Sequence, residues 1–173
     1  MKKEIIQSSW ALLLPFFLFG CSEDESSRAP LDVQVQAMYE SYRDEFPAIG
    51  EVSVDEVSGW MSDEELVLVD VREDDERAVS MLKGAITKDE FEADAEFYQG
   101  KKIIVYCTIG YRSGMYVKDL DARGVDAFNL QGSILAWVNA GQPLYDPSGK
   151  LTSRVHVYGE KWNLVPEEYE AIW

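Results

Sequence analysis

Two compact apolar runs organise the chain. Leu66–Val69 in ELVLVDVRE and Ile103–Tyr106 in KKIIVYC are continuous blocks of bulky residues, one ending at Asp70 and the other at Cys107. Continuous apolar character, as opposed to alternation, marks a strand covered on both faces, so both segments predict buried parallel strands. Helical spacing surrounds them. Val33, Val35, Ala37, Met38, Tyr42 and Phe46 predict a helix over Asp32–Phe46, within an N-terminal helical region 31–50 stopped at Pro47. GEVSVDEVSGWM predicts a short strand and then a short helix capped at Ser53. DDERAVSMLKG predicts a short helix and a turn at Gly84. KDEFEADAEFYQG predicts a helix carrying Phe91, Ala95 and Tyr98, with Asp89–Glu96 as its solvated face. A helix starting near Ser113 and stopping at Gly124 follows from Met115, Val117, Leu120 and Ala122. VDAFNLQG predicts another strand, and SILAWVNAGQP a helix with Trp137 in the core, stopped by Gly141 and Pro143.

Strands and helices thus alternate from about 51 to 142. That order predicts an α/β fold, a parallel sheet with helices on both faces. In such sheets the site lies at the carboxyl ends of the strands, where Asp70 and Cys107 both stand.

Composition changes this picture little. With 173 residues, 46% of them hydrophobic, the chain suits one domain with short extensions. Its net charge of −16 argues against nucleic acid and anionic lipid headgroups as partners. A small pocket can still be locally positive, so an anionic substrate stays open.

The leader is a separate matter. MKKEIIQSSWALLLPFFLFGC opens on Lys2 and Lys3, runs apolar from Trp10 to Phe19 and ends in Gly20 and Cys21. The run is too short to span a bilayer and has the layout of an export signal. LFGC resembles the bacterial lipobox, apart from a Phe19 larger than usual there. The resemblance implies that residues 1–20 are removed and that Cys21 is lipidated. SEDESSRAP, within 21–30, then reads as a flexible acidic tether. The implied location is outside the cytoplasm, lipid-anchored to a membrane. Ser22 leans toward the periplasmic side of the outer membrane in a Gram-negative host. An ordinary signal peptide or an uncleaved anchor are the alternatives.

Cys107 is then the one thiol left, and its neighbours are unusual for a packing cysteine. In VYCTIGYRSG, Gly110 lets the backbone turn so that N–H groups point inward, a helix start supplies unpaired N–H groups, and Arg112 adds a permanent charge. Such a loop suits a thiolate, or an anion attached to its sulfur. One histidine and one such cysteine provide no metal-ligand cluster, and no nucleotide loop is visible, so no cofactor is expected.

YCTIGYRSG resembles the active-site loop of the rhodanese family, Cys-x-x-Gly-x-Arg-Ser. LVLVDVREDDE is similar to the family's strand-end Asp-x-Arg motif, LKGAI to its Gly-Ala-Ile segment, and NLQGSILAWVNAGQPL to its closing Gly-x-x-x-Trp-x-x-x-Gly-x-Pro stretch. The four occur in order and cover 51–144. The resemblance implies a sulfurtransferase in which Cys107 takes a sulfane sulfur from a small anionic donor such as thiosulfate, holds it as a persulfide and passes it to a thiol or cyanide acceptor. It implies that the loop Thr108, Ile109, Gly110, Tyr111, Arg112 and Ser113 cradles the persulfide and donor, with Arg112 binding the anion. Two departures stand out: Ser80, Met81 and Leu82 replace the frequent Gly-His before Lys-Gly-Ala, and Gly132–Ile134 replaces the commoner Gly-Gly-x. Both are expected to be peripheral to the loop.

The same fold serves some cysteine phosphatases and arsenate reductases, which use Cys-x5-Arg. Cys107 to Arg112 is Cys-x4-Arg, a smaller cradle that favours sulfur. A persulfide carrier or partner-binding module is the other alternative. Asp70 either orients Arg72 or Arg112 or caps the next helix. Arg72 and Glu73 are expected to be structural. Tyr111 shapes the pocket mouth or covers the helix. His156, the only histidine, is a packed or surface residue unless the fold carries it to Cys107. The tail 145–173, rich in Trp and Tyr, is expected to pack on the domain.

Overall fold

A computed structural model describes residues 29–173, so the leader and Cys21 lie outside the described residues. Five parallel strands form the central sheet: β1 (Gly50–Val52), β2 (Leu66–Asp70), β3 (Ile86–Thr87), β4 (Lys102–Tyr106) and β5 (Ala127–Leu130). Their spatial order is β1-β5-β4-β2-β3, which puts the two apolar runs side by side at the centre, Val69 opposite Val105 and Asp70 opposite Tyr106. The period of two along each strand divides the core. Val67, Val69, Ile103 and Val105 pack on one face with Phe91, Tyr116, Val117 and Leu120. Leu68, Ile104 and Tyr106 pack on the other with Val35, Tyr39, Ile134 and Trp137. The α/β architecture with helices on both faces is the one expected.

The helices are α1 (Leu31–Glu40), α2 (Val54–Trp60), α3 (Asp74–Val79), α4 (Lys88–Ala93), α5 (Tyr111–Ala122) and α6 (Ser133–Asn139). Ser53 caps α2, its hydroxyl accepting from the Glu56 N–H while the Glu56 carboxylate accepts from the Ser53 N–H. Three boundaries differ from expectation. The first helix ends at Glu40, and a separate 3₁₀ turn at Arg43–Glu45 carries the chain on to a buried Phe46. The helix after Thr87 stops at Ala93, because Asp94 leaves helical geometry at φ −139°. Tyr98 still stacks on Phe91, at 5.4 Å between centroids, but from a turn. The acidic run is therefore not one solvated helix face: Glu92 pairs with Arg123 at 2.8 Å and accepts from the Tyr116 hydroxyl, and these partners hold its carboxyl down at about 2. Finally, α5 begins at Tyr111 and not near Ser113, with Gly110 as its N-cap.

The tail adds short strands that composition alone did not indicate. β6 (Leu144–Tyr145) pairs antiparallel with β7 (Leu151–Thr152), and β8 (Arg154–His156) pairs parallel with β9 (Glu170–Ile172). Val155 and Val157 are fully buried in the same core as Trp137, so this segment is joined to the domain by packing.

Candidate active site

β4 delivers Cys107 to the carboxyl edge of the sheet, between the first turns of α5 and α6. Three contacts hold the loop from the α6 side. The Cys107 N–H donates to the Ser133 hydroxyl at 3.0 Å, and the Ile134 and Leu135 N–H groups donate to the carbonyls of Cys107 and Thr108, both at 3.2 Å. The loop turns at Gly110, whose φ of +105° favours glycine. A Cβ there would also lie 2.5 Å from the Tyr39 ring. The Asn129 amide ties the Gly110 carbonyl to β5 at 3.0 Å and donates to the Tyr39 hydroxyl, which donates in turn to Glu51. Burial and Glu51 together push the Tyr39 phenol well above its usual range, so it stays a donor.

This scaffold aims donors at the sulfur. The Gly110 N–H lies 3.2 Å from Cys107 Sγ and the Ser113 hydroxyl 3.5 Å from it. The first turn of α5, with its intrahelically unpaired N–H groups, starts beside it. Cys107 is only 1% exposed, yet it lines a pocket of about 310 Å³ with Tyr42, Thr108, Ile109, Tyr111, Arg112, Tyr158 and Trp162.

The charges around the loop are paired. Arg112 donates to both oxygens of Glu76 at 2.6 and 2.8 Å and to the Thr108 hydroxyl at 3.0 Å, and that hydroxyl donates to Glu76 at 2.9 Å. Burial works to raise the Glu76 carboxyl, but Arg112, the Glu73 N–H and Thr108 outweigh it and bring it down to about 2. Behind this pair lies a second. Arg72 grips Asp70 at 2.9 and 2.7 Å, fully buried, and donates to the Ser80 carbonyl at 2.6 Å. Asp70 thus orients Arg72 and not Arg112.

The loop residues Thr108 to Ser113 come together around Cys107 as a group. Asp70 and Arg72 stand at the sheet edge behind them. Tyr111 packs against Tyr42 at 5.3 Å at the pocket wall. His156 reaches Glu76, its Nδ1 3.8 Å from the carboxylate, but that nitrogen accepts from the Tyr158 N–H at 3.2 Å and is not donating to Glu76.

One expectation is corrected. Residues 132–134 are not peripheral, since Ser133 holds the Cys107 N–H and lies 3.4 Å from the Ser113 hydroxyl. Sequence reasoning also missed Glu76, one of four consecutive acids from Glu73, because only the fold shows which acid turns inward to be 2% exposed. A cation in a tight loop needs a counter-ion, and that was the available signal. Tyr42, Tyr158 and Trp162 were hidden for another reason: they lie in the extensions, with no motif around them.

Known proteins share this architecture. The family model for the rhodanese-like domain matches residues 53–140. YtwF of Bacillus subtilis, itself a proposed sulfurtransferase, is 35% identical over 85 residues, which span 47% of this chain and 82% of that protein. A sulfurtransferase of Allochromatium vinosum is 28% identical over 106 residues, 58% of this chain and 99% of that protein. The crystal structure of a thiosulfate sulfurtransferase from Pseudomonas aeruginosa superposes with a TM-score of 0.54 at 22% identity, covering 69% of this chain and 24% of the other, a likeness of fold. The family model spans the segment that builds the Cys107 loop, and the chain belongs to the rhodanese-like domain family.

Proposed function

We propose that this chain is a sulfurtransferase that carries sulfane sulfur on Cys107. The observation that supports it most is the focus of the loop on one atom: the Gly110 N–H and Ser113 hydroxyl meet Cys107 Sγ at 3.2 and 3.5 Å, at the floor of an open pocket. In the first half-reaction the Cys107 thiolate attacks the outer sulfur of a donor such as thiosulfate. A new S–S bond forms, the donor's own S–S bond breaks, and its electron pair leaves with sulfite. In the second, a thiol or cyanide attacks the outer sulfur, and the electron pair of the broken bond returns to Sγ. Loop N–H groups compensate the negative charge on the terminal sulfur between the two steps. Arg112 carries the donor's charge only in part, because Glu76 already balances it. Outside the described residues, Cys21 is proposed as the lipid attachment point that keeps this chemistry outside the cytoplasm.

Intact mass tests the reading. Incubation with thiosulfate should add one sulfur atom to the chain, cyanide should remove it as thiocyanate, and Cys107→Ser should gain none. A Cys107→Ser variant that still turned over would defeat the assignment. Sulfur loading without turnover on any small acceptor would favour a persulfide carrier.

A further inference from the structure

The pocket over Cys107 has two zones. At the floor, polar groups surround the sulfur. The walls above are the rings of Tyr42, Tyr111, Tyr158 and Trp162 together with Ile109. Tyr42, Tyr158 and Trp162 come from outside the family-matched segment 53–140, so the extensions of this chain supply three of its four rings. They pack as two aromatic pairs, Tyr42 against Tyr111 at 5.3 Å and Tyr158 edge-on to Trp162 at 5.2 Å. Tyr158 is 60% exposed and yet sits at φ +68°, a backbone state a bulky side chain rarely adopts, with its ring 5.6 Å from the Arg112 guanidinium carbon. The fold holds an exposed ring in a strained position at the pocket.

Electrostatics point the same way. Among the described residues, Arg112 is the only charged one lining the pocket, and Glu76 grips it with both oxygens. The chain around it carries −16. An acceptor with a negative group near its thiol would meet no uncompensated cation among these wall residues, whereas an uncharged ring would meet four aromatic partners. Cys107 is 1% exposed, so an acceptor must enter the pocket to reach its sulfur, and about 310 Å³ suits a single-ring molecule.

We propose that the sulfur acceptor is a small thiol bearing an uncharged aryl group, held among Tyr42, Tyr111, Tyr158 and Trp162. The proposal rests on the sulfurtransferase reading above. The aryl thiol passes its proton to the anionic outer sulfur of the Cys107 persulfide, its thiolate attacks that sulfur, and the Sγ–S bond breaks with its electron pair returning to Sγ. The product is an aryl hydrodisulfide that keeps the transferred sulfur and its proton. No oxidant or further reactant is consumed.

Two measurements on the full chain test it. In Cys107→Ser, where no sulfur can be transferred, methyl phenyl sulfide should bind about tenfold more tightly than its 4-carboxylate analogue by ligand-observed NMR titration, and Trp162→Ala or the exposed Tyr158→Ala should erase that preference. In the reactive chain, the ratio of kcat/KM for 4-methylbenzenethiol to that for cyanide should fall about tenfold in the same variants. Equal affinity for the two sulfides, or an equal loss with both acceptors, would overturn the acceptor class. If mass spectrometry shows sulfur on Cys107 but no ring preference appears, the acceptor class alone fails. If Cys107 gains no sulfur from any donor, the transfer reading fails and the acceptor role with it, whatever the sulfides do.

Discussion

Glu76 on α3 grips Arg112 on α5 with both carboxylate oxygens, and Thr108 of the cysteine loop bonds to each of them. This triangle ties the helix after β2 to the helix after β4 across the mouth of the site. Because the folded state holds the Glu76 carboxyl at about 2, below its ordinary value, the pair's contribution to stability is present above that ordinary value and lost as pH falls through about 2. Wild type should therefore melt above Glu76→Gln at neutral pH, and the gap should shrink steadily from about pH 4.5 down to about pH 2. Melting curves across that range check it; a gap that stayed constant would mean the carboxylate charge is not what matters.

The same substitution should change donor use. Glutamine can still accept one hydrogen bond from Arg112 but no longer cancels its charge, so the pocket gains a net cation. The KM for thiosulfate should drop several-fold in Glu76→Gln at pH 7, with a smaller change for an uncharged donor. Steady-state kinetics with both donors would decide, and a KM that rose equally for the two would show that the pair acts only by holding the loop in place.

Gly110→Ala should be among the most damaging single-methyl changes. The new Cβ would have to occupy space 2.5 Å from the Tyr39 ring, on a backbone at φ +105°. Neither side has room to yield, since Tyr39 is fully buried and hydrogen-bonded to Asn129. A loss of about 2–3 kcal/mol follows from overpacking and backbone strain together. Urea denaturation measures it, and a loss under about 0.5 kcal/mol, the scale of an ordinary surface change, would contradict the packing described.

How much of this was legible in the sequence depends on the range of the interactions involved. β2 and β4 were plain because burial on both faces leaves a continuous apolar run, and Cys107 stood out because a turn glycine, an arginine and a helix start follow it within six residues. Those are local signals. The counter-ion of Arg112 lies 36 residues away, the Tyr39–Asn129 contact spans 90 residues, and the aromatic walls come from both ends of the chain. Periodicity cannot choose Glu76 over Glu73, Asp74 or Asp75, since each is compatible with a short helix at a solvent edge, and only the docking of α3 against β8 and the cysteine loop separates them. Ser133 was misjudged for a related reason. Beside a glycine, a serine reads as a loop substitution, and its link to Cys107 crosses 26 residues.

Ser133 offers a comparison between two opposing effects at one position. Its hydroxyl accepts from the Cys107 N–H at 3.0 Å and donates to the Leu130 carbonyl at 3.2 Å, but the residue sits at φ +49°, where a side chain is disfavoured. Ser133→Ala loses the hydroxyl and keeps the strain, leaving a buried N–H without its partner, so it should cost about 1–3 kcal/mol. Ser133→Gly loses the same hydroxyl but relieves the backbone, which should recover about 1 kcal/mol of that loss. Both should slow sulfur transfer by about tenfold, because Cys107 is no longer held from behind. The order of stability is then wild type, Gly, Ala, with the two variants alike in activity. Paired urea titrations and transfer kinetics measure both quantities. An alanine variant as stable as the glycine variant would show that the positive φ carries no cost, and full activity in either would remove Ser133 from the positioning of the nucleophile.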